Sequence, residues 1–258
     1  MTHTSLAALV RARFSAPFWS PEFVSEVLEA CWAPCGDRTR GWSVGCVLGT
    51  ETLVQTRPMI RSKDGRFLED FLRTPAPCTI ASYACDRDAT QPPAPLVHRV
   101  GRWIGAAVCD GPVDVEAIVA DLPDFLRRER RTREPDEAIF LAFLGALYGE
   151  GGLRGAYATE AELAGALGRV RKAVGEAHDL LVHDGRSVGI VNGRGRLSVF
   201  RAPPEPGRRT QEDRPVQAAL FTTCDLPFEQ AARSGAERLS PGAFIVRPAR
   251  PMSLERVD

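Results

Sequence analysis

At 258 residues, with 44% hydrophobic and 26% charged side chains, the chain has the make-up of an ordinary globular protein with room for a sizeable core. Its 33 basic and 33 acidic residues cancel, which argues against the broad basic face that nucleic-acid binding requires. No apolar run approaches the roughly 20 residues that span a bilayer, and Met1-Thr2-His3-Thr4-Ser5 lacks the basic-then-apolar order of a secretory signal, so a cytoplasmic location without membrane partners is expected.

Setting aside Lys63 and Lys172 leaves 31 arginines among the 33 basic residues, the bias of a GC-rich bacterial coding sequence. The seven cysteines, at 31, 35, 46, 78, 85, 109 and 224, are odd in number and scattered. That pattern predicts reduced thiols and no disulfide framework.

In chain order, Ser20-Pro21 supplies an N-cap and a proline at the first helical position for a helix over 22–32, whose apolar residues 23, 24, 27, 28 and 31 share one face. Trp42 to Leu48 reads as a strand ended by Gly49-Thr50. Short apolar stretches at 78–85, 103–109 and 179–183, bounded by Gly, Pro or Asp, read as buried strands. Between the last two lie the helices. One covers Val113 to Arg128, with Pro123 kinking or restarting it. A second covers Asp136 to Tyr148. A third is opened by a Thr159/Glu162 capping box and buries Leu163, Leu167, Val170 and Val174. Strands at 187–191 and 196–200 flank Asn192-Gly193-Arg194-Gly195, which predicts a hairpin. A polar, proline-rich surface loop at 203–215 precedes strands at 217–223 and 243–247. Strands, then helices, then strands, without βαβ alternation, predict an α+β fold with one layered core over 1–258.

Four landmarks follow one another along the chain. They are Gly36-Asp37-Arg38-Thr39-Arg40-Gly41-Trp42-Ser43-Val44-Gly45, Arg87-Asp88-Ala89-Thr90, Val108-Cys109-Asp110-Gly111 and His183-Asp184-Gly185-Arg186. With Leu239-Ser240-Pro241-Gly242 leading into the last apolar strand, this order and spacing resembles the class II (N-terminal nucleophile, Ntn) glutamine amidotransferases from about residue 12 to 250. The resemblance implies an αββα sandwich of two antiparallel sheets between helical layers. It implies no cofactor, and as a partner a synthase or other protein subunit.

The family's chemistry maps onto the chain unevenly. A family member exposes a Cys whose thiolate attacks the glutamine amide, with its own α-amine as base. Here Met1 precedes Thr2, and a terminal Thr can serve as such a nucleophile. Thr2, however, is followed by His3-Thr4-Ser5 and not by an apolar strand. Val10-Arg11-Ala12-Arg13-Phe14-Ser15 is the better match to the family's opening strand, and there the Cys is replaced. The family's oxyanion hole, His-Asn-Gly, becomes Cys109-Asp110-Gly111. Losing one donor there lowers rates by roughly 10²–10³, and a carboxylate would set negative charge beside negative charge. Asp110 donates only if protonated.

Arg87 matches the Arg that pairs with the substrate α-carboxylate, a role that suits a bidentate guanidinium. The family's Ser-Asp-Ser-Glu, whose Asp holds the α-amine, meets Glu134-Pro135-Asp136-Glu137, with Asp136 one residue late and equally at home as a helix N-terminal acid. His98 reads as structural, and His3, His98, His178 and His183 show no metal spacing.

Three functions stay open at this point. The first is a degenerate amidotransferase-like protein that has lost glutaminase chemistry and binds a small amide, a γ-glutamyl ligand or a partner. The second is an active amidohydrolase using Thr2. The third is a zinc- or thiol-dependent regulator built on the close pair Cys31 and Cys35, which lacks the second ligand pair of a zinc site. Cys109, beside the oxyanion position, is the remaining candidate for replaced chemistry.

Overall fold

The computed structural model describes residues 2–11, 39–59, 76–86, 97–201, 218–223, 236–248 and 252–257. The helix expected at 22–32, the Cys31/Cys35 pair, Arg87 and the loop at 203–215 lie outside them.

Thirteen strands and four helices follow in the described residues. The first strands are β1 (Thr2–Arg11), β2 (Thr39–Leu48), β3 (Glu51–Met59), β4 (Cys78–Asp86), β5 (His98–Val100) and β6 (Trp103–Cys109). The helices are α1 (Val115–Ala120), α2 (Asp124–Glu129), α3 (Pro135–Gly149) and α4 (Glu160–Val174). Then come β7 (His178–His183), β8 (Val188–Asn192), β9 (Ser198–Arg201), β10 (Ala218–Thr222), β11 (Glu237–Arg238), β12 (Gly242–Arg247) and β13 (Ser253–Arg256). A seven-stranded sheet runs β11-β9-β10-β1-β4-β2-β3 and a six-stranded sheet β13-β12-β8-β7-β6-β5. The strand pairings are antiparallel. The α+β expectation holds, as a two-sheet sandwich. No helix of the described residues is long and apolar enough to cross a membrane.

Two cores share the six-stranded sheet. Between the sheets lie Leu6, Ala8, Val10, Val47, Ile80, Ile104, Ala106, Val108, Leu181 and Ile190. On the sheet's outer face Trp103, Ala107, Leu180, Val182 and Val191 meet Phe140, Phe143, Leu144, Leu163 and Leu167 of α3 and α4. Period-2 alternation along β6 and β7 sends successive residues to opposite cores, so both strands read as continuous apolar runs. The seven-stranded sheet is also buried on its far face, at Trp42, Cys46, Ala81 and Tyr83.

The helices form where their signals stand. Pro123 does restart the helix: α1 ends at Ala120 and Pro123 is the N-cap of α2. Thr159 accepts a hydrogen bond from Glu162 N while the Glu162 carboxylate accepts from Thr159 N, completing the capping box of α4. Its buried residues are Leu163, Ala166, Leu167 and Val170, with Val174 only partly covered. Glu137, in the first turn of α3, is buried and satisfied by the backbone N–H of Arg131 at 2.9 Å and the Thr132 hydroxyl at 2.7 Å.

Two local expectations are corrected. Residues 192–195 are not a hairpin turn, because β8 pairs with β7 and β12 in one sheet while β9 pairs with β10 and β11 in the other. A side chain on Gly193 would bring Cβ to 2.3 Å from the His178 carbonyl oxygen, and Gly193 N donates to that oxygen at 3.1 Å. Asn192 spends its amide on the chain's passage between sheets. It donates to the carbonyls of Leu239 and Ser240 at 2.9 and 3.1 Å and accepts from Leu197 N at 3.2 Å.

The opening strand is corrected too. It is Thr2–Arg11, paired with β4 from Thr2↔Asp86 to Val10↔Cys78 and with β10 from Ala7↔Thr222 to Arg11↔Ala218. Pairing with β4 supplies ladder hydrogen bonds whatever the side chains, so His3-Thr4-Ser5 extends the strand despite its polarity.

Gly105 lets α3 seat against β6: an added Cβ would lie 2.4 Å from Phe140 Cδ2 and 3.1 Å from Val182 Cγ1. Gly105→Ala is expected to destabilise the fold by about 1–3 kcal/mol through overpacking, read as a lower urea midpoint with an unchanged slope.

Candidate functional site

The direction of the two sheets follows from two contacts. Gly185, in the turn after β7, lies against Val47, and Gly45 lies against Ile104. β6 therefore advances from the Val47 end of the seven-stranded sheet toward the end where Thr2, Asp86 and Thr39 stand in one register row. Asp110 and Gly111 leave β6 on that side, and Arg87 is the residue after Asp86.

At this sheet end the charges are organised by Arg194. Its Nε donates to Asp179 Oδ2 at 2.7 Å and its backbone N–H to Asp179 Oδ1 at 3.2 Å. Asp179 is 2% exposed and Arg194 9%. Burial opposes the guanidinium's charge, yet the Asp179 carboxylate and its hydrogen bond, then Asp110, hold Arg194 above its ordinary value. The Nη1 of Arg194 meets Asp110 Oδ2, and Arg196 Nη1 stands 3.7 Å from the same oxygen. Asp110 is 46% exposed, and its backbone N–H donates to Ala177 O at 3.2 Å. Asp110 is thus a carboxyl gripped by a guanidinium, its Oδ2 accepting from Arg194.

Cys109 points the other way. Its side chain packs with the core on the helical side of the sheet. Burial first, then the charges of Asp136 and Asp110, push its thiol up to about 12. Its cross-strand partner His178 is buried, and burial lowers that imidazole's value against the opposing pull of Asp179. His178 Nδ1 has no partner among the described residues. A neutral thiol beside a neutral imidazole, facing the helical core, is a poor nucleophile.

Asp136 is engaged. Its Oδ2 lies 3.0 Å from His98 Nε2, in a pair where His98 is 6% exposed and also stacks on Phe140. His98 is thereby a structural partner, as expected, and it ties the start of α3 to β5. At the opposite sheet end Asp184 Oδ1 accepts from Arg186 N and Ser187 N, both at 2.8 Å. That bond pattern makes the Asp184-Gly185 landmark a turn, with Gly185 at φ 95. Sequence reasoning did not single out Arg194, Arg196 or Asp179. Asp179 in an otherwise apolar run, with two arginines in the segment after the following strand, is the available signal.

No family model matches the chain, and no curated protein matches it. Solved structures do. A class-II glutamine aminotransferase domain protein from Silicibacter pomeroyi superposes with a TM-score of 0.51 at 12% identity, covering 98% of this chain and 99% of that one. A glutamine phosphoribosylpyrophosphate amidotransferase from B. subtilis, complexed with ADP and GMP, gives 0.52 at 13% identity over 98% of this chain. An allosteric regulatory enzyme of purine biosynthesis gives 0.53 at 12% identity over 98%. This chain spans 49% of the length of each of the latter two. The fold is that of the Ntn-hydrolase glutamine amidotransferase domains.

With its thiol pushed up to about 12 by burial, Cys109 stays protonated at pH 8. Peptide mapping after iodoacetamide treatment of the folded protein is expected to find Cys109 unmodified until denaturant is added. His178 and His183 are both lowered by burial, so the unfolded chain binds more protons than the folded one. Their contribution is intact above an unfolded value of about 6.5 and is lost as pH falls below it. The melting temperature should therefore drop between pH 7 and 5, and less steeply for His178→Gln. A flat profile would contradict this.

Proposed function

We propose that this chain is a class II glutamine amidotransferase-like protein of the bacterial cytoplasm that has lost glutaminase activity. It keeps the sheet end as a binding site for a small amide or γ-glutamyl compound and works as a binding or partner subunit, for example of a synthase. One observation carries this reading: the carboxylate of Asp110 is bound to Arg194 at the position matching the family's oxyanion donor. Acyl transfer from an amide builds negative charge on the former carbonyl oxygen, and catalysis needs a donor aimed at it. Asp110 offers an accepting oxygen instead. Gly111 N–H alone is left from the matched pair, a loss of roughly 10²–10³ in rate for one missing donor. Asp136, matched to the α-amine ligand, is paired with His98. Cys109 does not replace the nucleophile, because it faces the helical core.

A second reading is favoured by one specific observation, that β1 begins at Thr2 in register with Asp86, the residue before Arg87. In it, loss of Met1 would free the Thr2 amine as base for its own hydroxyl, which would attack the amide carbon and expel ammonia, with water then hydrolysing the ester. Arg87 would bind the substrate carboxylate.

Glutamate release from L-glutamine and from a γ-glutamyl amide, in wild type and Thr2→Ala, separates the two. No release from either protein is the expected result. Release by wild type that vanishes in Thr2→Ala, with mass spectrometry showing Met1 removed, would overturn the preferred reading.

A further inference from the structure

Arg194 is immobilised twice over, through its Nε and its backbone N–H, on the buried carboxylate of Asp179. That anchoring leaves Arg194 Nη1 on Asp110 Oδ2, and Arg196 Nη1 stands 3.7 Å from the same oxygen, within ion-pair range and outside hydrogen-bond distance. The oxygen belongs to a side chain that is 46% exposed. One guanidinium bonded to that oxygen and a second within ion-pair range of it, around a half-exposed side chain, make an anion subsite filled by the chain's own carboxylate. We infer that Arg194 and Arg196 form a carboxylate-binding subsite for which Asp110 is an internal stand-in, displaced when a ligand carboxylate arrives.

The charge count selects the ligand class. Arg194 and Arg196 against Asp179 leave one net positive charge once Asp110 swings away, which a monoanionic carboxylate neutralises. A dianionic phosphate would leave the cluster negative beside the buried Asp179. Displacement is feasible because Asp110 is 46% exposed and its carboxylate can exchange the guanidinium for water, while Arg194 keeps Asp179 as its partner. The tethered carboxylate nevertheless competes as though it were present at a millimolar or higher local concentration. Removing it should therefore raise affinity for a free carboxylate.

This inference rests on the reading of that sheet end as the ligand site, and it adds the chemistry that would be recognised there. Calorimetric titration with L-glutamate, and separately with inorganic phosphate at pH 8, would compare wild type, Asp110→Asn, Arg196→Gln and the double variant. Asp110→Asn is expected to bind glutamate on the order of tenfold more tightly than wild type, and the double variant should lose that gain. Equal affinity in wild type and Asp110→Asn, no binding in any variant, or tighter binding of phosphate than of glutamate would each overturn the inference. Should Asp110→Asn fail to fold, Arg196→Gln in the native background decides: weaker glutamate binding supports the subsite, and unchanged binding overturns it. Glutamate release from glutamine, read in parallel, keeps the two ideas apart. Release together with Arg196-dependent binding sinks only the loss of glutaminase activity, whereas no release and no binding sinks only the subsite.

Discussion

β6 is buried on both faces, and most of what is distinctive here depends on that constraint. Ile104, Ala106 and Val108 face the opposing sheet while Trp103, Ala107 and Cys109 face the helices. A strand between two cores has no solvent side, so a single residue's parity fixes which chemistry it can join. Parity sends Cys109 to the helical core, where low polarity keeps its thiol protonated. The chain then leaves the sheet, and the next residue, the half-exposed Asp110, meets the mostly buried Arg194. The same constraint explains Gly105, because α3 can press Phe140 onto β6 only where no Cβ intervenes.

Electrostatics at the sheet end follow from a second burial. Asp179 sits in β7 with almost no exposure, and a buried carboxylate requires a partner. Arg194 provides it, and its remaining donor reaches Asp110. Asp179, 69 residues after Asp110 in sequence, thereby sets which cation Asp110 meets. Arg194 and Arg196 bring two guanidinium groups to the Asp110 carboxyl.

The crossing from β8 to β9 shows why local signals mislead. Asn192-Gly193 between two apolar runs has the local chemistry of a tight hairpin. Yet Asn192 bonds to Leu239, Ser240 and Leu197, and Gly193 is needed for its approach to the His178 carbonyl. The same residue types serve a hairpin and a change of sheet, and only long-range partners separate the two. β1 is the converse case. Its first residues carry no apolar pattern, and their strand geometry comes from β4 along one side.

By itself the sequence determined what local physics encodes. The Thr159/Glu162 cap, the restart at Pro123, the strands around 42–48, 78–85, 103–109 and 179–183, and the order of landmarks that resembles the amidotransferases all rest on residues near one another in the chain. It also places an acidic residue, Asp110, in the turn after the 103–109 strand. Only the tertiary structure decided which sheet each strand joins, that Thr2 opens the strand beside Asp86, that Asp136 is held by His98, and that Arg194 binds both Asp179 and Asp110. The physical reason is common to all four. Sheet membership, burial and ion pairing are set by partners tens to hundreds of residues away, and a carboxylate's role depends on which cation the fold brings to it.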